Sequence, residues 1–168
     1  MDRDHVAELA EQWARQRPEL ETEALQIAAR VFRLQRALSR TTAARLKQLS
    51  LNEGEFSVLS ALRRTEPPHE LTPTELHRAL LLSTGAMTHR LDRLEHSGHI
   101  VRLPDDIDRR KVTVRLTATG VEAVDHAMDA YTETLTKLLA VADDAQRRGL
   151  DESLRQLLHQ LERGGVLD

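Results

Sequence analysis

The chain has 168 residues, no cysteine, 2% aromatic residues and a formal charge of −3, one ordinary domain's worth of chain with room for an aliphatic, mostly helical core. The lack of cysteine excludes thiol sensing and cysteine-ligated metal, so any signal has to arrive as a ligand, a proton or a metal held by other groups. The acidic total argues against a surface that is basic throughout, yet residues 72–120 hold eight Lys and Arg against six Asp and Glu, and residues 121–168 hold five against ten: a mildly basic segment on an acidic body.

Residues 3–16 predict a short amphipathic helix with Val6, Leu9, Ala10 and Trp13 on one side, stopped by Pro18. Trp13, the sole tryptophan, is expected to be a core anchor. From Glu19 to about Leu46, the residues Ala24, Ile27, Ala28, Val31, Leu34 and Leu38 share one stripe of a long helix, whose partner should be another long helix. Leu51 and Asn52 punctuate the chain before GEFSVLSALRR, a short core helix carrying Phe56, Leu59 and Leu62. TEPPHE then reads as a connecting loop.

Thr72, Pro73 and Glu75 mark a helix start: a hydroxyl to cap free amides, a proline suited to the first turn, and a carboxylate for the positive end. Leu76, Ala79 and Leu80 point this short helix inward. Leu82, Ser83, Thr84 and Gly85 interrupt the pattern, and Met87, Leu91 and Leu94 announce a second helix that Gly98 ends. Its outer face carries Ser83, Thr84, Gly85, Ala86, Thr88, His89 and Arg93, groups that fit a major groove without clash.

Ile100–Leu103 and Val112–Leu116 pair as two strands around the tip PDDIDRRK. There Arg109, Arg110 and Lys111 are placed to meet phosphate or a minor groove. One arginine is expected to brace the tip against Asp105 or Asp108 while the other reaches DNA, and the order of residues leaves open which. The unit is a helix-turn-helix with a hairpin wing. Beyond it, Thr117 is a plausible N-cap, and Val121, Val124, Met128, Tyr131, Leu135 and Leu138 form a packing seam. A last helix starts at Asp143 or Asp144, carries Leu150, Leu154, Leu157, Leu158 and Leu161 on one face, and stops at Gly164 and Gly165. One small domain cannot bury all these stripes, so self-association through both termini is expected.

The order LTPTEL, STGAMTHRLDRLEHSGHI, the D-x-x-DRR of Asp105, Asp108, Arg109 and Arg110, and RLT-x-x-G ending at Gly120 resembles the MarR family of bacterial transcription regulators. The resemblance implies a mainly α fold: a winged helix-turn-helix over 51–120, and helices in 1–50 and 121–168 forming a dimerisation stalk of one domain, 1–168. It also implies a homodimeric repressor on an inverted-repeat operator of double-stranded DNA, released by a small anionic ligand. A branch of the family that responds to urate and similar anions carries an N-terminal helix with a Trp, an Arg in the recognition helix, another at the wing base and an Asp in an earlier helix. Trp13, Arg90 and Arg102 match that set, and the Asp position is Ser57 here.

No nucleophile elbow, phosphate-binding glycine loop or HExxH is present, so neither an enzyme nor a cofactor is expected. His96 and His99 form H-x-x-H beside Glu95, either a partial metal site or polar residues at a helix end. Two rival readings follow: a winged-helix module for protein contacts without DNA, and a metal-responsive regulator. There is no run of eighteen apolar residues, and MDRDHVAELAEQ lacks the features of a signal peptide. A cytoplasmic protein with no membrane contact is therefore expected.

Overall fold

The computed structural model describes residues 4–80, 84–104 and 112–166, with the side chains of Thr84 and Gly85 also outside the description. Helix α1 spans His5–Gln16; its N-cap Asp4 accepts from the Ala7 amide at 2.7 Å and from Arg30 Nε of the next helix at 3.0 Å. These bonds, the amide first, hold the Asp4 carboxyl below its usual range. Only Val6 and Ala10 of α1 are buried. Trp13, expected as a core anchor, is 48% exposed: the stripe it belongs to is wider than the single helix, α2, that it packs against.

Helix α2, Glu23–Gln48, is 26 residues long, roughly 39 Å at 1.5 Å per residue. It begins four residues later than the sequence pattern suggested. Only Thr42 and Leu46 are buried, so the apolar stripe ahead of them is left largely uncovered in one chain. Helix α3, Glu53–Arg63, starts in a reciprocal capping box: the Asn52 side chain accepts from the Glu55 amide and the Glu55 carboxylate accepts from the Asn52 amide. It delivers Phe56, Val58, Leu59, Ala61 and Leu62 to the core.

The chain next forms strand β1, Glu70–Leu71, where a plain connector was expected. Two residues have no readable alternation, so this strand shows only in its pairing: Glu70 and Leu71 lie opposite Arg115 and Val114. Helix α4 (Pro73–Leu80) and helix α5 (Thr84–His96) follow. Strands β2 (Ile100–Pro104) and β3 (Val112–Leu116) complete a three-stranded antiparallel sheet in the order β1-β3-β2. An Arg115 to Glu70 ion pair of 2.6 Å crosses the added edge.

Helix α6, Ala118–Leu139, is capped by Thr117 and packs against α2 and α3. Helix α7, Asp144–Arg163, opens with a capping box on Asp143 and Gln146 and buries no residue. The core collects Leu46, Leu59, Leu62, Leu76, Leu94, Ile100, Val114 and Val124, one or two from each element around α3. Phe56 and Tyr131 add a tilted ring contact with centroids 5.0 Å apart. The fold is mainly helical, with a small antiparallel sheet as the base of the wing.

Candidate nucleic-acid interface

Helix α5 presents two faces. Met87, Leu91 and Leu94 are buried against the core, whereas Thr88, His89, Asp92 and Arg93 are exposed. Non-polar residues at spacings of four and three pin one side, and this pushes the opposite side outward. Of the expected contact residues, Thr88, His89 and Arg93 lie on the exposed side, and Ala86 is half-buried. Ser83, Arg109, Arg110 and Lys111 lie outside the described residues, as do Asp105 and Asp108 and the side chains of Thr84 and Gly85.

Two acids, Asp92 and Glu95, also sit on the exposed part of α5, where bare carboxylates would repel phosphate. Arg102 of β2 answers both. Its Nη2 donates to Asp92 Oδ1 at 2.6 Å, its Nη1 lies 3.5 Å from Glu95 Oε2, and its backbone N–H donates to Glu95 Oε1 at 3.2 Å. Arg102, expected as a ligand-binding group, thus ties the wing base to the recognition helix and is paired there with both acids. At the end of α5, Gly98 adopts φ +76°, the left-handed conformation that lets the chain turn into β2 at little cost.

Arg93 is paired as well: its Nε lies 2.7 Å from Glu55 Oε1. Glu55, 3% exposed, is a site residue the sequence reading missed; the N-x-x-E pattern of Asn52 and Glu55 shows a capping box but not a partner 38 residues away. Arg90 is half-buried and lies across Gly54, where an added Cβ would meet its guanidinium. It makes no ion pair among the described residues.

Of the four residues expected to hold an anion, Trp13 sits apart from Ser57 within one chain. Trp13 lines a small groove with Val6, Leu9, Leu25 and Ala29 between α1 and α2, and Arg90 and Arg102 are placed as above. The physical reason is the length of α2: α1 grips it near residues 25–29, about 25–30 Å along the axis from Leu46, where α2 meets α3. Ser57 donates its hydroxyl to the Glu53 carbonyl at 2.7 Å and lines a cavity of about 460 Å³ with Phe56, Ser60, Arg64, Met128 and Tyr131. The Ser60 hydroxyl, in a residue 5% exposed, has no hydrogen-bond partner among the described residues. A buried polar atom left unpaired is costly, and a ligand group in the cavity would satisfy it.

His99 Nδ1 lies 2.8 Å from Ser97 Oγ, and among the described residues no group of three or more His, Asp or Glu is placed to hold a metal ion.

A family model described as the MarR family matches residues 51–112. Over 125 residues the chain is 32% identical to the transcriptional repressor MprA of Escherichia coli (strain K12), covering 73% of this chain and 70% of that one. The chain belongs to the MarR family. It is also 28% identical over 158 residues to the HTH-type transcriptional regulator PecS of Dickeya dadantii (strain 3937), covering 94% of this chain and 93% of PecS. Among solved structures, a mutant MarR from E. coli complexed with operator DNA superposes with a TM-score of 0.69 at 26% identity, covering 83% of this chain and 99% of that one. The protein is therefore a MarR-family transcriptional regulator with the winged helix-turn-helix fold. Among the described residues no helix is long and apolar enough to cross a membrane.

Proposed function

We propose that this regulator is a cytoplasmic homodimeric repressor that binds an inverted-repeat operator and leaves it when a small anionic metabolite binds. The observation that carries the DNA reading is the division of α5: a buried Met87, Leu91 and Leu94 seam behind an exposed Thr88, His89 and Arg93 face. In this reading Ser83, Thr84, Gly85, Ala86, Thr88 and His89 enter the major groove, and Arg109, Arg110 and Lys111 of the wing meet phosphate or the minor groove. MprA, whose name is that of a repressor, supports the sign of regulation. Dimerisation is supported by α7, which buries no residue although Leu150, Leu157 and Leu158 lie on it, and by the exposed Ile27, Val31 and Phe32 of α2. Residues 1–50 and 121–168 supply that stalk, and 51–120 the DNA-binding unit.

The effector site is the α3 cavity that Ser57 opens on. Ser60 offers an unpaired hydroxyl, Phe56 and Tyr131 offer ring surfaces, and Arg64 offers a cation with no ion pair among the described residues. Glu53 faces the same cavity, so the guest that fits is a planar anion that puts its charge toward Arg64 and an N–H toward Glu53, as urate can. Binding there releases DNA by linkage, since a ligand preferring one pose of α3 weakens whatever needs the other. The test is Arg109→Ala with Arg110→Ala against duplex from the region upstream of the gene. Affinity is expected to fall and the slope of log K against log salt to flatten by up to about 1.8, two phosphate contacts at ~0.9 each. Unchanged affinity and slope would remove the wing from the interface.

A further inference from the structure

We propose that Glu55 is a positioning residue for DNA binding: it fixes the pose of the recognition helix α5 through Arg93. The proposal rests on the DNA-binding reading above. A capping box alone needs only one oxygen of this carboxylate, and Oε2 serves it by accepting the Asn52 backbone N–H at 3.0 Å. The other oxygen, Oε1, is committed to Arg93 Nε at 2.7 Å. The Glu55 side chain is 4% exposed and that of Arg93 is 58% exposed, so the charge is buried at one end of the pair and open at the other.

Burying a carboxylate is costly unless charge and hydrogen bonds surround it. Here the positive end of α3, the Asn52 amide and the Arg93 guanidinium supply them. The contacts of Met87, Leu91 and Leu94 set how deeply α5 sits against the core, but apolar contact is non-directional and resists sliding or rolling poorly. The ion pair of Arg93 and Glu55 acts at one point away from the α5 axis, so its attraction falls off as α5 rolls or slides. The Glu55 to Arg93 pair therefore sets the roll of α5 about its own axis and its position along α3, the two quantities that decide where His89 and Thr88 meet base edges. Arg90, lying across Gly54 one residue before Glu55, marks a second contact of α5 with the same first turn of α3.

Helical spacing puts the pair at the junction of two functions. Glu53, Ser57, Ser60 and Arg64 follow at intervals of four, three and four and face the cavity, whereas Glu55 is on the opposite side of α3. A shift of α3 that accommodates a guest in the cavity is transmitted to α5 by the Glu55 carboxylate.

The experiment measures operator binding by fluorescence anisotropy across a salt series for the parent, Glu55→Gln, Arg93→Gln and the double variant. If Glu55 positions α5, each single change weakens binding about tenfold and the double variant loses no more than either, because the two act as one unit. The salt slope stays that of the parent, because no phosphate contact has been removed. The idea is overturned if Arg93→Gln flattens the slope by about one while Glu55→Gln binds as well as the parent or better, for Arg93 would then be a phosphate ligand that Glu55 merely competes for. Losses that simply add would overturn it too. Arg93 is exposed, so Arg93→Gln alone decides through its slope should Glu55→Gln fail to fold. A parent that binds no DNA at all would sink the DNA reading itself, a result distinct from either.

Discussion

Thr117 Oγ1 donates to the Gly98 carbonyl at 2.7 Å and accepts from the Gly120 amide at 2.9 Å, so one hydroxyl joins the turn that ends the recognition helix to the first turn of α6. Gly120 then lies so close to the His99 carbonyl that an added Cβ would collide with the backbone. Gly120→Ala is accordingly expected to push α6 away from β2 and to cost about 1–3 kcal/mol, the usual penalty for overpacking. A lowered thermal midpoint in circular dichroism checks it; an unchanged midpoint would mean that the start of α6 yields freely.

Removal of residues 145–168 takes away Leu150, Leu154, Leu157, Leu158 and Leu161. Helix α7 buries nothing within its own chain, and each of these leucines is worth roughly 1.5–3 kcal/mol when fully covered. The truncated protein should sediment as a folded monomer. A folded dimer would mean that the part of the stalk on α2, with its exposed Ile27, Val31 and Phe32, holds the two chains together without α7.

The α3 cavity gives a prediction about the signal. Urate, added to the protein–operator complex, should release DNA, and Arg64→Ala should blunt the response at least tenfold, the size of a lost charge-assisted bond of about 1.4 kcal/mol or more. Ser60→Ala removes the unpaired hydroxyl, so it should leave the apo protein as stable as the parent or more so while weakening the effector response. Release of DNA by urate that is indifferent to both substitutions would place the effector elsewhere in the protein.

At the start of α4, the Thr72 backbone N–H and hydroxyl both donate to Glu75 Oε2 at 2.7 Å. These bonds, the backbone one first, hold the Glu75 carboxyl below the usual glutamate range. A carboxyl whose folded value is lowered adds stability that is present above its unfolded value and is lost as pH falls through the folded one. Amide exchange in the first turn of α4 should therefore quicken on going from about pH 6 to about pH 3 relative to the middle of α6, and Glu75→Gln should remove the difference.

What was legible in the chain depended on period and on distance along it. Met87, Leu91 and Leu94 repeat at helical spacing, Val112–Leu116 alternate, and Thr117 and Asn52 carry capping chemistry, so the helices and the wing base could be read directly. Strand β1 could not be, because Glu70 and Leu71 are too short to show a period. Arg93 was placed on the outer face correctly, but its tie to Glu55 joins two helices remote in sequence. Trp13 shows the limit of an apolar stripe: amphipathicity says that a face wants covering, not that the same chain covers it. Arg102 was placed at the wing base by its match to an anion-responsive pattern, but its pairing with Asp92 and Glu95 was not legible, because those acids lie on a different element.

The most direct test of the whole account is an equilibrium titration of the purified protein against labelled duplex from its own upstream region, alongside a scrambled duplex of equal length, with stoichiometry read at saturation. Two chains per site, and an upstream affinity at least about 10³-fold above the scrambled one, are expected. One chain per site, or equal affinity for both duplexes, would contradict a dimeric, sequence-reading regulator.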